Sequence, residues 1–259
     1  MLRRITPALA AATLLLAACG GAAAPAVADP REIVTQGLEA TAELTSVHLL
    51  LSVDGTASIS ELGGGEMSLN GTRLEGDVDI ENQQGHLTFA VPPLLGLQGE
   101  VIQIGQDSYV KTSMTGELWS KSEVSESDPV AGAMDPQEQL DEIRAFLDED
   151  GVELEKLEDT ECGERTCYQV RLTIPAELIA DAAEGAEVDP TEFLGETLVL
   201  DLLFDREEMW LSGMSTELSA ASVGELSLTL TLSAFNEPVE VEAPPEDEVT
   251  EGGMDGLPF

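Results

Sequence analysis

The chain has 259 residues, of which 51 are acidic and 11 basic, so its formal net charge at pH 7 is −40. This charge excludes nucleic-acid binding through phosphate contacts, which need Lys and Arg, and adhesion to an anionic bilayer through a basic patch. The length allows one or two domains. A strongly acidic surface favours solubility in an extracytoplasmic setting.

The first twenty residues have the pattern of a secretory signal. Arg3 and Arg4 precede an apolar run over residues 5–18, and small residues lead into Cys19. The sequence Leu16-Ala17-Ala18-Cys19 resembles the lipobox of bacterial lipoproteins, which implies cleavage before Cys19 and acylation of that cysteine. The alternative is an ordinary cleaved signal that ends in a stray cysteine. The apolar run is short for a spanning helix, which needs ~20 residues.

These features divide the chain into four parts: a signal peptide at 1–18, a tether at 19–28, a folded domain at 29–239 and an acidic, disordered tail at 240–259. Loss of Arg3 and Arg4 with the signal leaves nine basic residues against 51 acidic ones, a net charge of −42. The tether is short enough to keep the domain within ~30 Å of the membrane. The sequence therefore predicts a protein held by lipid at the extracytoplasmic face of the cell membrane.

Three Asp-Pro motifs and one further proline predict the helices. Asp29-Pro30 places Asp at the N-cap and Pro in the first turn, and an amphipathic pattern follows to about residue 45. The same motif recurs at Asp135-Pro136 and Asp189-Pro190, and another helix is expected to open at Pro175.

Between these helices the apolar residues alternate with polar ones, which predicts strands with one buried and one solvated face. The alternation is cleanest over residues 226–232. Asn70-Gly71 predicts a hairpin turn. Many strands and few helices indicate an α+β fold with a single large curved antiparallel sheet, a half-barrel, whose concave face the helices cover.

Cys162 and Cys167 are predicted to form a disulfide that closes a hairpin, because disulfides persist outside the cytoplasm. A redox or metal role would favour the tighter C-x-x-C spacing. The two histidines, His48 and His86, have no nucleophile or carboxylate motif beside them. The sequence thus predicts no catalytic residue, no metal site and no cofactor.

The segment Val91-Pro92-Pro93-Leu94-Leu95-Gly96-Leu97 is apolar, yet its two prolines forbid a regular central strand. One interpretation is a loop packed on the core. The other is an apolar lip, formed by Leu94, Leu95 and Leu97, at the mouth of a cavity or against the membrane.

Several short motifs, in this order, resemble the LppX/LprG lipoprotein family of mycobacteria and their relatives. These motifs span most of the chain after the signal. The first two are Asp29 through Glu43 with Ser46-Val47-His48-Leu49, and Asp107-Ser108-Tyr109-Val110-Lys111 with Trp119. The other three are Asp135-Pro136, Thr173-Ile174-Pro175-Ala176 and Leu232-Ser233-Ala234-Phe235-Asn236-Glu237-Pro238-Val239. The cysteine pair and the extreme acidity are departures from that pattern.

The resemblance implies a fold similar to the LolA and LolB carriers, with a hydrophobic cavity between sheet and helices that holds acyl chains of a lipid or glycolipid. It implies no catalytic residue, and it makes a membrane transporter a candidate partner. The alternating apolar residues are the candidate cavity lining: Val47, Leu49, Leu51, Val53, Leu198, Leu200, Leu202, Leu226, Leu228 and Leu230.

Two alternatives stay open at the level of sequence. The same leucines would form a solid core if the helices packed tightly against the sheet. A similar fold also serves envelope sensors, so the alternative function is a non-enzymatic sensor or scaffold that binds a protein partner.

Overall fold

The computed structural model describes residues 27–59, 65–94, 96–116, 118–124, 143–144, 146–182, 195–220 and 224–251. The signal peptide, Cys19, Leu95 and the Asp189-Pro190 motif lie outside these residues. So does the Asp135-Pro136 motif, although residues 143, 144, 146 and 147 of the helix predicted after it are described as helical.

Helix α1 (Pro30–Ala42) begins where the Asp29-Pro30 motif predicts. The Asp29 carboxylate accepts hydrogen bonds from the backbone N–H groups of Arg31 at 2.9 Å and Glu32 at 3.3 Å. These bonds satisfy two of the donors that a helix start leaves open. The helix predicted near Pro175 is also present, as α2 (Ala176–Ala182).

Most of the remaining described residues form strands. Their bounds are β1 Ser46–Ile59, β2 Gly65–Ser68, β3 Thr72–Asp79, β4 Gln84–Val91, β5 Leu97–Ile104, β6 Asp107–Thr112, β7 Trp119–Glu123, β8 Glu153–Lys156, β9 Thr160–Cys162, β10 Arg165–Pro175, β11 Thr197–Asp205, β12 Leu211–Ala220, β13 Gly224–Ser233 and β14 Val249–Glu251. A short 3₁₀ helix, Glu246–Glu248, precedes β14.

The strands form one sheet in the order β14-β7-β6-β5-β4-β3-β1-β13-β12-β11-β10-β8, with β2 added to β1 and β9 added to β10. Neighbouring strands are antiparallel except for β14, which runs parallel to β7. The predicted fold class is confirmed, because a single open antiparallel sheet holds more than half of the described residues, and the helices among those residues are few.

The register sorts the side chains onto two faces. Leu51 of β1 lies opposite Leu230 of β13 and Leu74 of β3, and the same row continues through Met214 to Leu202. We call this side of the sheet the apolar face. Side chains one residue along each strand, such as Ser52 and Thr229, lie on the other side, which we call the polar face.

Helix α1 covers one half of the apolar face. It packs over β8, β10, β11 and β12, and Ile33, Val34 and Phe204 are at most 1% exposed in the core that results. Gly37 makes this contact possible, since a Cβ atom there would lie 2.2 Å from Cδ1 of Phe204. The absence of a side chain on Gly37 therefore sets how closely the helix approaches the sheet.

Two details differ from the sequence predictions. Asn70 and Gly71 do not join paired strands, because β2 and β3 both pair with β1 and follow one another along it. The Asn70 side chain instead accepts a hydrogen bond from the N–H of Gly55 at 2.7 Å. The acidic tail, predicted to be disordered, forms a strand at residues 249–251, because β14 pairs with the open edge of β7. Backbone hydrogen bonding, which side-chain composition does not reveal, accounts for both differences.

Candidate functional site

The candidate site is the part of the apolar face on β1 and β13, where the two strands pair over eight residues. Val53 lies opposite Leu228, Leu51 opposite Leu230, and Leu49 opposite Leu232. Each of these side chains is half-buried. The alternation of apolar residues, strict in β13 and interrupted by Leu50 in β1, thus produces a wall of aliphatic side chains with no ionised group among them.

The ten residues predicted to line a cavity all lie on the apolar face. Those of β11 stand in the same rows as those of β13, with β12 between them: Leu200 is opposite Thr216 and Leu202 is opposite Met214. The contribution of β12 was missed in the sequence, because its apolar residues are interrupted by Thr216. The Thr216 hydroxyl donates to the carbonyl of Val199 at 2.7 Å, which makes it compatible with an apolar surface.

Burial divides these ten residues. Leu202, which lies near α1, is 7% exposed, whereas those on β1 and β13, apart from Val47 at 9%, are half-buried. Val47 belongs to a second small core with Val78 and Leu87. The placement of the ten residues on one face is established by the register, and their contact with a ligand stays a prediction.

The predicted lip falls on the loop between β4 and β5. Leu94 is 40% exposed, while Leu97 is 7% exposed at the start of β5. Successive turns hold the loop, since the Leu94 N–H donates to Val91 at 3.1 Å and the Leu97 N–H donates to Leu94 at 2.9 Å. Leu97 thus fits a loop packed on the sheet, and Leu94 fits an exposed apolar lip.

The polar face carries ion pairs. Arg171 donates from Nε and Nη2 to the two carboxylate oxygens of Asp201, both at 2.8 Å, and this hydrogen bonding raises the pKa of Arg171. The hydrogen bond from Lys121 to Asp107 likewise raises the pKa of Lys121.

The two histidines also lie on this side. His48 Nδ1 lies 2.9 Å from Asp77 Oδ1, and His86 Nε2 lies 3.3 Å from Glu100 Oε2. Both imidazoles thus take part in cross-strand pairs on the side of the sheet opposite the candidate site.

A cavity of about 470 Å³ lies beside β12 and β13, between the polar-face residues Ser215, Thr229 and Thr231 and the hairpin tip at Arg165. Leu230 and Leu232 of the candidate site also contribute to its lining. Helix α1 contributes nothing to this lining. No described helix lines this cavity, so it is not the cavity predicted between sheet and helices.

The predicted disulfide is present. Cys162 and Cys167 are bonded, with their Cα atoms 5.9 Å apart, and they close the turn between β9 and β10. Near this end of β10, the hydroxyl of Tyr168 accepts a hydrogen bond from the N–H of Val27 at 3.1 Å. This contact fixes the point at which the chain that follows Cys19 enters the domain.

Among the described residues, no helix is both long and apolar enough to span a bilayer. In the same part of the chain, no group of three or more His, Cys, Asp or Glu side chains is arranged to hold a metal ion.

An open antiparallel sheet with helices over part of one apolar face defines a fold class, and solved structures share it. Lipoprotein LppX from Mycobacterium tuberculosis is 21% identical over 83% of this chain and 100% of its own, with a TM-score of 0.52. LprF from Mycobacterium bovis is 16% identical over 85% of this chain and 98% of its own, with a TM-score of 0.57.

No protein-family model matches the sequence, and no curated protein matches it. At these identities the two structures show a common fold for nearly the whole of the described domain. The sequence-based resemblance to the LppX/LprG lipoproteins is in this respect confirmed.

Proposed function

We propose that this chain is a lipid-anchored extracytoplasmic protein that binds and carries an acyl lipid or glycolipid on the apolar face of its sheet. The observation that supports this most directly is the half-buried aliphatic wall of β1 and β13, which continues into the core under α1 without an ionised side chain. The shared fold with a protein described as a lipoprotein adds support.

The chemistry of the wall suits an acyl chain. Burying a methylene is worth about 0.8 kcal/mol, so a chain of more than a dozen carbons is held firmly without a charged contact. Rows such as Leu228, Leu230 and Leu232 lie two residues apart along β13, at about 7 Å intervals. An extended acyl chain laid along or across these rows contacts several leucines at once.

The anchor is proposed from the sequence. Cys19 would carry acyl groups, and two or more chains are needed for stable membrane attachment. The chain that follows the signal carries a charge of −42 and is repelled by an anionic bilayer. The lipid on Cys19 would therefore supply the attachment that the surface of the domain opposes.

The test is the lipid content of the purified, full-length protein, measured by mass spectrometry of organic extracts. Leu228→Trp places a bulky ring on the apolar face, and we expect it to reduce co-purified lipid several-fold. Thr229→Trp is the matched control, because Thr229 is the next residue of the same strand and lies exposed on the polar face. It should leave the lipid content unchanged.

Equal lipid content in both variants and in the unmodified protein would contradict lipid binding on this face. A protein partner captured equally well by the Leu228→Trp variant, with no lipid in any sample, would instead support the sensor or scaffold function. A transfer assay between vesicles with fluorescent lipid separates a carrier from a protein that only stores its ligand.

A further inference from the structure

Two adjacent loops at one end of the sheet hold a cluster of exposed apolar side chains. Leu94, in the loop between β4 and β5, is 40% exposed, and Met114 and Leu118, in the loop between β6 and β7, are 62% and 47% exposed. We call these two loops, residues 91–97 and 112–118, the tip. Three large apolar side chains in water at one place are unusual unless they contact something.

Hydrogen bonds join the second loop of the tip to the strand that follows the first loop. The N–H of Ser113 donates to the carbonyl of Gln98 at 2.7 Å, and the N–H of Gln98 donates to the Ser113 hydroxyl at 3.2 Å. Within the second loop, the Thr112 hydroxyl accepts from the N–H groups of Met114 and Thr115. These bonds hold the exposed side chains in fixed positions.

The tip is also nearly free of charge. Its fourteen residues include one acidic residue, Glu117, and no basic one, whereas about one residue in five of the whole chain is acidic. Approach to a bilayer is opposed by the charge of the domain as a whole, and this opposition is weakest where carboxylates are few in the sequence.

Two cations lie just behind the tip. Arg73 and Lys111 line a cavity of about 360 Å³ on the polar face, together with Glu100 as its single acidic residue and with Gly116 of the tip itself. Lys111 lies 3.3 Å from Glu100. This placement puts positive charge at the depth at which lipid phosphates lie when the apolar side chains enter the bilayer.

The tether enters the domain at a different place from the tip. Val27 is held at Tyr168, three residues from the first residue of β10 and next to the turn between β11 and β12. The tip lies at the other end of the strands, so it would be a membrane contact separate from the tether. Eight residue steps join Cys19 to Val27 and span at most about 28 Å.

We infer that the tip is a membrane-docking element, in which Leu94, Met114 and Leu118 insert among lipid acyl chains and Arg73 and Lys111 lie at the phosphate level. The exposed side chains, the low charge of the two loops and the two cations do not depend on the proposed lipidation of Cys19. The inference concerns an outer surface of the domain, separate from the apolar face proposed to hold a ligand.

The test uses the full-length protein in phosphatidylcholine vesicles that contain a lipid with a nitroxide on its acyl chain. Cys162 and Cys167 are bonded to each other, and Cys19 would be acylated. Met114→Cys therefore introduces a single site for a fluorescent label. Glu207→Cys is the control, at an exposed position in the turn between β11 and β12 at the opposite end of the strands.

We expect the nitroxide to quench the label at position 114 at least twofold more than the label at position 207. Equal quenching at both positions, or protection of position 114 by an added protein but not by lipid, would overturn the inference.

A second variant, Leu94→Asp with Met114→Asp, should slow lipid transfer between vesicles several-fold while the amount of bound lipid stays unchanged. Where the unmodified protein transfers lipid, an unchanged transfer rate in that variant would also overturn the inference.

If the unmodified protein contains no bound lipid, this result contradicts the proposed function alone. The quenching experiment does not depend on a bound ligand and still tests the inference about the tip.

Arg73→Gln provides a graded measurement. Adding anionic phosphatidylglycerol to the vesicles should increase the quenching at position 114 less in this variant than in the protein that retains Arg73. An equal increase in both would overturn the role given to Arg73.

Discussion

The two halves of the apolar face are built from the same kind of strand, yet one is a core and the other remains open. On β10 and β11, under helix α1, Val170 and Phe204 are fully buried. On β13, in the same row of the sheet as Val170, Leu230 is half-buried. Sequence alternation therefore decides which face is apolar. Contact with the thirteen-residue helix α1 accompanies full burial on β10 and β11, and away from α1 the same face holds the smaller core of Val78 and Leu87.

The largest effect is expected from truncating a side chain in the covered half. Phe204→Ala should lower the free energy of unfolding by about 3–5 kcal/mol, because it leaves a cavity against Gly37. Leu230→Ala in the open half should cost about 1–2 kcal/mol, since the leucine is already partly solvated. Urea unfolding followed by circular dichroism measures both, and equal losses would contradict the distinction between the halves.

Removal of the disulfide tests whether the stability of the covered half depends on this covalent bond. Replacing Cys162 and Cys167 together by Ser should lower the free energy of unfolding by roughly 2 kcal/mol, because the closed loop is short. Bound lipid should be unaffected, since the disulfide hairpin lies off the apolar face. Unfolding of the unmodified protein with and without a reductant provides the comparison, and a loss of lipid in the variant would link the two regions.

A smaller effect is expected at the start of α1. Asp29→Ala removes the acceptor for the N–H groups of Arg31 and Glu32 and should cost about 1 kcal/mol. Asp29→Asn retains an acceptor oxygen and should recover most of this loss. If Asp29→Ala also raises the rate of hydrogen exchange in β10 and β11 but not in β1, the helix stabilises the covered half selectively.

The smallest effect is expected on the polar face. His48→Gln removes the contacts of the partly exposed imidazole with Asp77 and Glu75 and should change the free energy of unfolding by less than about 0.5 kcal/mol. Lipid content should stay constant, because His48 and Leu49 lie on opposite faces of β1. A large decrease in bound lipid would show that the polar face, with its cavity of about 470 Å³, takes part in binding.

Much of the architecture could be predicted from local patterns. The Asp29-Pro30 cap, the alternation over residues 226–232 and the cysteine pair each specify a structure within a few residues, and each is present. The ten candidate lining residues share one face for the same reason, because the side-chain period of a strand is two.

The features that were missed depend on distant backbone. Residues 249–251 form a strand only because the edge of β7 offers unpaired N–H and C=O groups. The collinear pairing of β2 and β3 with β1 depends on the side chain of Asn70 reaching Gly55. Residues 112–118 show no periodic pattern in the sequence. The loops that carry Met114 and Leu94 become neighbours only because β5 pairs with β6.

The pairing of β1 with β13 has a consequence for how the chain folds. Leu49 and Leu232 are neighbours across β1 and β13, although 183 residues separate them along the chain. Contacts of this separation form late, because closing so large a loop costs conformational entropy before any side chain is buried. A chain that emerges N-terminus first cannot complete its sheet until β13 has followed. Formation of the sheet therefore has to wait until most of the chain has been synthesised.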